Sequence, residues 1–336
     1  MDLNGRRALI TGATGFIGSR LATRLAVEEG MNVRALIRDP QQGRSLNKLG
    51  IEAVPGDVTD LASLKTVLPG CQVVYHAAAW VTERGTPDQV WAVNVTGTQN
   101  VVSAALTAGD VERFIHLSSC AVYGSPQEFN IDERSPTRTC GNLYADSKVA
   151  AEEIVFRAYR QRELPVVSAR ASQVYGPGSK QFTIRPVEVI KSGKMILVDG
   201  GRHLCKPIYI DNLIDGLILC AKIDTVVGEA INLTDGKPIP WCDFFGAYGR
   251  MQNTESFPSI PFALAWILAY FNEIKAALQG RSTSFNRKTV KALHSSNSFS
   301  NQKARDLLGW QPKIDFDEGM QRTETWLRAT GYLTDK

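Results

Sequence analysis

Tyr144 and Lys148 stand four residues apart in Tyr144-Ala145-Asp146-Ser147-Lys148, a spacing that puts a phenol and an ammonium on one face of a helix. A cation beside a phenol favours the phenolate and lowers its pKa, so such a pair can exchange a proton near neutral pH. The same spacing occurs by chance on many exposed helices and carries little alone. The strand read over 114–117 runs directly into Ser118 and Ser119, however, and so brings a hydroxyl to the end of a strand.

A second group follows the first apolar run, 7–10. Thr11-Gly12-Ala13-Thr14-Gly15-Phe16-Ile17-Gly18 leads into a helical pattern with Ile17, Leu21 and Leu25 on one side. Strand, glycine turn and helix form the context that binds a dinucleotide pyrophosphate. Gly12 permits the tight turn, Gly15 lets the backbone approach the phosphates, and Gly18 lets the helix pack close to the sheet. The unpaired N–H groups of the helix start face the anion. The contacting set is then Gly12, Thr14, Gly15, Phe16, Ile17 and Gly18; the bland alternative is an ordinary β-to-α connection. The spacing is GxxGxxG rather than the commoner GxGxxG. Arg38 lies about 20 residues past the last glycine, where the ribose is usually read. A guanidinium there, behind apolar Ile37, suits the 2′-phosphate of NADP(H). The alternative is a solvated Arg38 with Asp39 on the ribose of NAD(H). Asp57 and Val58 follow the third strand and are candidates for adenine contact. Ala77 and Ala78 follow the fourth, where small side chains let a cofactor lie close. His76 reads as a packed core histidine.

These residues need a frame that brings strand ends together. β-rich runs at 7–10, 33–37, 51–54, 73–76, 114–117 and 166–169 alternate with helical patterns at 16–29, 61–68, 90–108 and 144–162. That alternation predicts an α/β fold with a doubly wound parallel sheet, whose ligand crevice lies at the carboxyl ends of the strands. Beyond residue 176 prolines interrupt mostly helical stretches, which predicts a smaller helical lobe. The expected division is a dinucleotide-binding domain over 1–175, with 206–235 returning to it. A substrate lobe then comprises 176–205 and 236–336. Runs 208–210 and 230–233 are expected to rejoin the sheet, and 317–329 to form a closing amphipathic helix.

Composition narrows the class. The 336 residues are 43% hydrophobic and 21% charged, which excludes a disordered or fibrous chain. The net charge of +4 comes without a basic run longer than two residues, so no nucleic-acid footprint is present. No secretory signal is visible at the start, and the chain is expected to be cytoplasmic. The most apolar segment, 260–271, carries Pro261 and is shorter than the roughly 20 residues of a spanning helix. Six cysteines without a CxxC pair and four histidines without HxxxH or HExxH spacing predict reduced thiols and no metal.

In order along the chain, TGATGFIG, GDVTD, HAAA, NVTGT (94–98), SSCAVYG, YADSK and VYGPG resemble the motif series of the extended short-chain dehydrogenase/reductases. The resemblance covers roughly the first 180 residues. It implies hydride transfer at nicotinamide C4, with Tyr144 as the acid/base. Alignment on VYG puts the family's catalytic serine on Ser119, hydrogen-bonding the reacting oxygen. Lys148 would hold the nicotinamide ribose and depress the Tyr144 pKa. Asn94 reads as structural near the site, and the family suggests a homodimer.

The nucleotide-sugar branch has an asparagine in its NVYGPG motif and an arginine before its VYVDD-like strand, both serving the sugar diphosphate. Here Gln173 and Cys205 stand at those positions, with Arg202 and Lys206 as nearby substitutes. The apolar segment 260–271, Arg281, and the run 301–312 resemble the 3β-hydroxysteroid dehydrogenase-like branch. The expectation is therefore an NADP(H)-dependent oxidoreductase of a lipophilic small molecule, of steroid, long-chain or polyketide type. Phe257, Phe262, Leu264, Trp266, Ile267, Tyr270 and Phe271 are expected to line an apolar pocket. Segment 260–271 is read as a core helix, a lipophilic lid or a membrane-surface helix. The alternatives are a nucleotide-sugar epimerase, dehydratase or reductase, and a non-catalytic NADP-binding sensor or scaffold.

Overall fold

The computed structural model describes residues 1–81, 85–124, 126–279, 283 and 285–334. Its centre is a seven-stranded parallel sheet. The strands are β1 (Arg7–Thr11), β2 (Asn32–Ile37), β3 (Glu52–Pro55), β4 (Val73–His76), β5 (Arg113–Ser119), β6 (Val166–Ala171) and Ala230–Leu233. They lie in the order Ala230–Leu233, β6, β5, β4, β1, β2, β3. The progression reverses between β1 and β4, so a crevice opens at the carboxyl ends of those two strands. Register carries the chemistry-bearing positions there: Thr11 pairs with His76, and Ser119 with Ala171.

The inner strands are buried on both faces because helices cover both. β4 and β6 are buried along their whole length, as a parallel sheet requires. One core holds Leu21, Leu25, Tyr75 and Leu213; the other holds Val101, Phe114 and Val155. The covering helices of the first half are α1 (Phe16–Val27), α2 (Gly43–Asn47), α3 (Leu61–Val67), α4 (Pro87–Trp91), α5 (Gly97–Ala108) and α6 (Leu143–Arg162). The α/β doubly wound class expected from the sequence is the observed one.

Three local readings are corrected. The single helix expected over 90–108 instead begins at Pro87, under a capping box closed by Thr86 and Gln89, and widens into a π-helical turn at Ala92–Thr96. The run 208–210 does not join the sheet. Pro207–Tyr209 pairs in parallel with Gln173–Tyr175 as a separate ribbon, because Ala230–Leu233 already occupies the free edge of β6.

The third correction concerns the apolar helix, which spans Phe262–Leu278. It turns its small residues inward: Ala265 and Ala269 are buried against Val198 and Val290. Leu264, Ile267, Leu268, Tyr270 and Phe271 face outward, with Phe271 62% exposed. Exposed in this way, they lie at the surface rather than around an enclosed pocket. Phe262 stacks on His294, Trp266 lies under Arg287, and Phe257 packs partly against the main core. Arg281 lies outside the described residues. Among the described residues no helix is long and apolar enough to cross a membrane. The closing helix is Phe316–Ala329, capped by Asp315.

Candidate active site

The glycine turn is held by close backbone contacts. Gly12 has φ +73°, and a Cβ there would lie 2.8 Å from Ala78 N and 2.9 Å from the Ala77 carbonyl, so the turn rests directly on the loop after β4. A Cβ on Gly18 would lie 2.1 Å from the Gly12 carbonyl oxygen, which fixes how closely α1 approaches β1. Gly15 differs. Its φ is −81°, and an added Cβ would meet only the Gly12 oxygen, at 3.2 Å. The outer side of the turn is open, Thr14 and Gly15 are exposed, and no side chain caps the start of α1. Phe16 and Ile17 are half-buried at that start. A cradle of this form fits a dinucleotide pyrophosphate.

The loops around it are braced from below. Thr11 Oγ1 accepts from Ala78 N at 3.2 Å and lies 2.7 Å from His76 Nδ1, while His76 Nε2 lies 2.9 Å from Thr98 Oγ1. Burial pushes the His76 imidazole down to about 3, so it is neutral and structural. Asp57 folds its carboxylate onto Thr59 N at 2.8 Å, and the Val58 carbonyl accepts from Asn100 Nδ2 at 3.0 Å. These bonds fix the loop at the end of β3.

At the end of β2, Ile37 is buried and Arg38 is exposed, without an ion pair among the described residues. Asp39 is committed elsewhere: its carboxylate accepts from Gln41 N at 2.9 Å and caps the following turn.

Helix α6 carries Tyr144 and Lys148. Asn142 caps it, accepting from Ala145 N at 3.1 Å. Its buried positions Ala145, Lys148, Glu152 and Val155 recur at helical spacing, so Lys148 is driven into the sheet. Its Nζ donates to the Leu117 carbonyl at 2.7 Å. Burial pulls its pKa down to about 8, with Glu152 pulling the other way. Tyr144 lies beside Ser119 at the end of β5. Burial raises its phenol above the ordinary value of 10, and the Ser119 side chain partly offsets this. The depressed phenol expected from Lys148 is therefore not found, because burial outweighs the groups that favour the phenolate. The Ser119 hydroxyl accepts from Ala121 N at 3.2 Å and turns the chain out of β5. Ser119 and Tyr144 meet at the end of β5, with Lys148 one turn further along α6.

Two supports were less legible. Asn94, in the π-helical turn, accepts from Trp80 N at 2.6 Å and donates to Ser147 Oγ at 2.9 Å, tying the loop after β4 to the turn of α6 between Tyr144 and Lys148. One turn past Lys148, Glu152 holds Arg170 of β6 through both oxygens, at 2.9 and 2.7 Å. Arg170 also donates to the Tyr123 hydroxyl at 2.8 Å. The i,i+4 spacing of Lys148 and Glu152 was a signal for the latter.

Beyond β6, Gln173 and Cys205 meet. Gln173 Oε1 accepts from Lys206 N at 2.6 Å and from Cys205 Sγ at 3.1 Å. Cys205 is fully buried, and burial raises its thiol far above the ordinary range. Lys206 is buried, with Nζ donating to the Leu204 carbonyl at 3.0 Å, while Arg202 is exposed and lies 3.9 Å from Asp199.

Residues 8–234 match the NAD dependent epimerase/dehydratase family. Among curated proteins, the chain is 30% identical to a 4-hydroxy-2-methyl-3-oxo-4-farnesyl-3,4-dihydroquinoline-1-oxide ketoreductase of Stigmatella aurantiaca, over 94% of each chain. It is also 30% identical to a 3-beta-hydroxysteroid dehydrogenase of Mycolicibacterium neoaurum, over 94% of this chain and 89% of that protein. Among solved structures, gox2253 superposes with a TM-score of 0.81 at 26% identity, covering 98% of this chain and 100% of that one. With its fold, its motif series and these matches, the chain belongs to the NAD dependent epimerase/dehydratase family of extended short-chain dehydrogenase/reductases and is a nicotinamide-dinucleotide-dependent oxidoreductase of CH–OH groups.

Proposed function

We propose that the protein is an NADP(H)-dependent reductase that interconverts a ketone and a secondary alcohol on a lipophilic small molecule. The observation that carries this reading is the meeting of Ser119 and Tyr144 at the sheet edge beside the open glycine turn, with Lys148 anchored behind them. When bound, the dinucleotide supplies or accepts the hydride. Tyr144, whose phenol is held protonated by burial, gives a proton to the carbonyl oxygen. Ser119 donates a hydrogen bond to the same oxygen as charge develops on it. Lys148 spends one N–H on Leu117 and keeps two for the ribose hydroxyls. Gly12, Thr14, Gly15, Phe16, Ile17 and Gly18 hold the pyrophosphate. Asp57, Val58, Ala77 and Ala78 flank the adenine and nicotinamide sides. The lobe 176–205 and 236–336 receives the substrate.

The NADP(H) preference rests on an unengaged Arg38 beside an Asp39 that already caps its own turn. Arg38→Ala should cost about tenfold or more in NADPH affinity and change NADH affinity little, because the lost ion pair exists only with the 2′-phosphate. Equal losses for both cofactors, measured by fluorescence titration, contradict it.

The lipophilic substrate rests on Gln173 and Cys205 closing on each other rather than presenting a cation to a diphosphate. The names of the two relatives, a farnesylated quinoline oxide ketoreductase and a hydroxysteroid dehydrogenase, support it. Hydroxysteroids, long-chain β-keto compounds and UDP- or dTDP-sugars, assayed for NADPH oxidation or NADP reduction, test it directly. Turnover confined to the sugars would move the protein to the epimerase and dehydratase branch.

A further inference from the structure

Two of the chain's four histidines, His76 and His116, are sealed beneath the sheet edge. The other two meet in the outer lobe. His203, just before the strand Leu204–Cys205, and His294, at the end of the helix Arg287–Leu293, have ring centroids 4.1 Å apart. Asp199 joins them: its Oδ2 lies 2.7 Å from His294 Nδ1 and 3.5 Å from His203 Nε2.

Each group is oriented from outside the cluster. Asp199 Oδ1 accepts from Phe262 N at 2.9 Å, and the Phe262 ring stacks on His294 at 4.2 Å. His203 Nδ1 lies 2.8 Å from Ser296 Oγ, which leaves Nε2 turned toward Asp199, buried and without a hydrogen-bond partner among the described residues. Asp199 holds this arrangement from a left-handed backbone, φ +50°, that non-glycine residues rarely adopt. A strained residue, an imidazole nitrogen without a hydrogen-bond partner among the described residues, and the bonds from Phe262 and Ser296 that orient the cluster converge on one point.

The three donor atoms lie within 4.8 Å of one another. Ligands about 2.05 Å from a tetrahedral ion stand about 3.3 Å apart, so small side-chain shifts close the site. We propose that Asp199, His203 and His294 form a binding site for a divalent transition-metal ion, Zn2+ foremost, with solvent as the fourth ligand. Two imidazoles and one carboxylate suit that class of ion better than Mg2+ or Ca2+, which take oxygen ligands. On binding, the imidazole nitrogen of His294 that now faces Asp199 gives its lone pair to the ion and the ring N–H sits on the other nitrogen, so the neutral ring changes tautomer and loses no proton. It ties together the turn at Asp199, the segment of His203 and the end of the helix Arg287–Leu293, clamping the outer lobe. HxxxH and HExxH spacings miss it because one histidine comes from a distant segment; the Asp199-x-x-x-His203 spacing is the only local signal.

All three lie in the lobe proposed to receive the substrate, but none is among the residues proposed to hold the dinucleotide or to move the proton, so the two readings succeed or fail separately. The test uses the full-length, untagged protein, stripped with a chelator and titrated with Co2+. The expected result is one Co2+ per chain, with visible d–d bands of low coordination number, no thiolate charge-transfer band, and loss of the bands on adding Zn2+. Zn2+ alone should raise Tm by about 3 °C or more. His203→Ala and His294→Ala should each abolish both effects. Asp199→Asn, which retains an oxygen for Phe262 N, should bind at least about tenfold more weakly, and so keeps the test decisive if a histidine variant folds poorly. A silent Co2+ spectrum with unchanged Tm, a thiolate band, or bands that persist in both histidine variants would overturn the proposal.

Discussion

Lys148 is held in a position that opposes its charge. Its ordinary pKa of 10.5 falls to about 8 inside the protein, a difference of about 3 kcal/mol between the two protonation states. Below pH 8 both the folded and unfolded chains carry the proton, and the folded chain bears the cost of a buried ammonium. Between pH 8 and 10.5 only the unfolded chain keeps it, so stability rises with pH across that window. Lys148→Met lacks this dependence. Its Tm relative to wild type should therefore be most favourable below pH 8 and decline steadily toward pH 10.5. A difference that does not change with pH would contradict the account. At this scale the sequence was informative about side-chain type and spacing, which placed Ser119, Tyr144 and Lys148. It could not give the direction of the Tyr144 shift, because that depends on how deeply α6 packs against the sheet.

The turn between β1 and α1 separates two uses of glycine that look alike in sequence. Gly18 is needed for packing, since a methyl group would overlap the Gly12 carbonyl oxygen at 2.1 Å. Gly15 has an ordinary φ, and a methyl group there would meet only the Gly12 oxygen, at 3.2 Å, a close contact that a small shift relieves. Gly18→Ala should lose about 3 kcal/mol or more of stability in denaturant unfolding. Gly15→Ala should stay within about 1 kcal/mol of wild type yet lose dinucleotide affinity, because its methyl group occupies the phosphate approach. Similar stability losses in both would refute that division. Strands and helices of the first half were legible because short β-rich runs alternate with helical periodicity. The π-helical turn was not. It forms where Asn94 is drawn toward Trp80 and Ser147, a tertiary contact with no local period. Nor does periodicity say which neighbour a short strand takes, as Pro207–Tyr209 illustrates by pairing with Gln173–Tyr175.

Across the whole molecule, the sheet edge gathers the glycine turn with Ser119, Tyr144 and Lys148, and in the proposed reading the outer lobe decides what reaches them. The helix Phe262–Leu278 shows where sequence reasoning stops. Its residues are apolar nearly all round, and only packing reveals that alanines face the protein while the large side chains face out. The lipophilic-substrate reading therefore stands on Gln173, Cys205 and the relatives rather than on those rings. Its mechanistic core is independent of the exact ketone. The most direct test is the initial rate of NADPH oxidation by wild type and Tyr144→Phe, side by side, on whichever ketone the panel identifies, with NADPH affinity measured on both. The account predicts intact NADPH binding and a rate at least about 100-fold lower in Tyr144→Phe; near-normal turnover in that variant would contradict it.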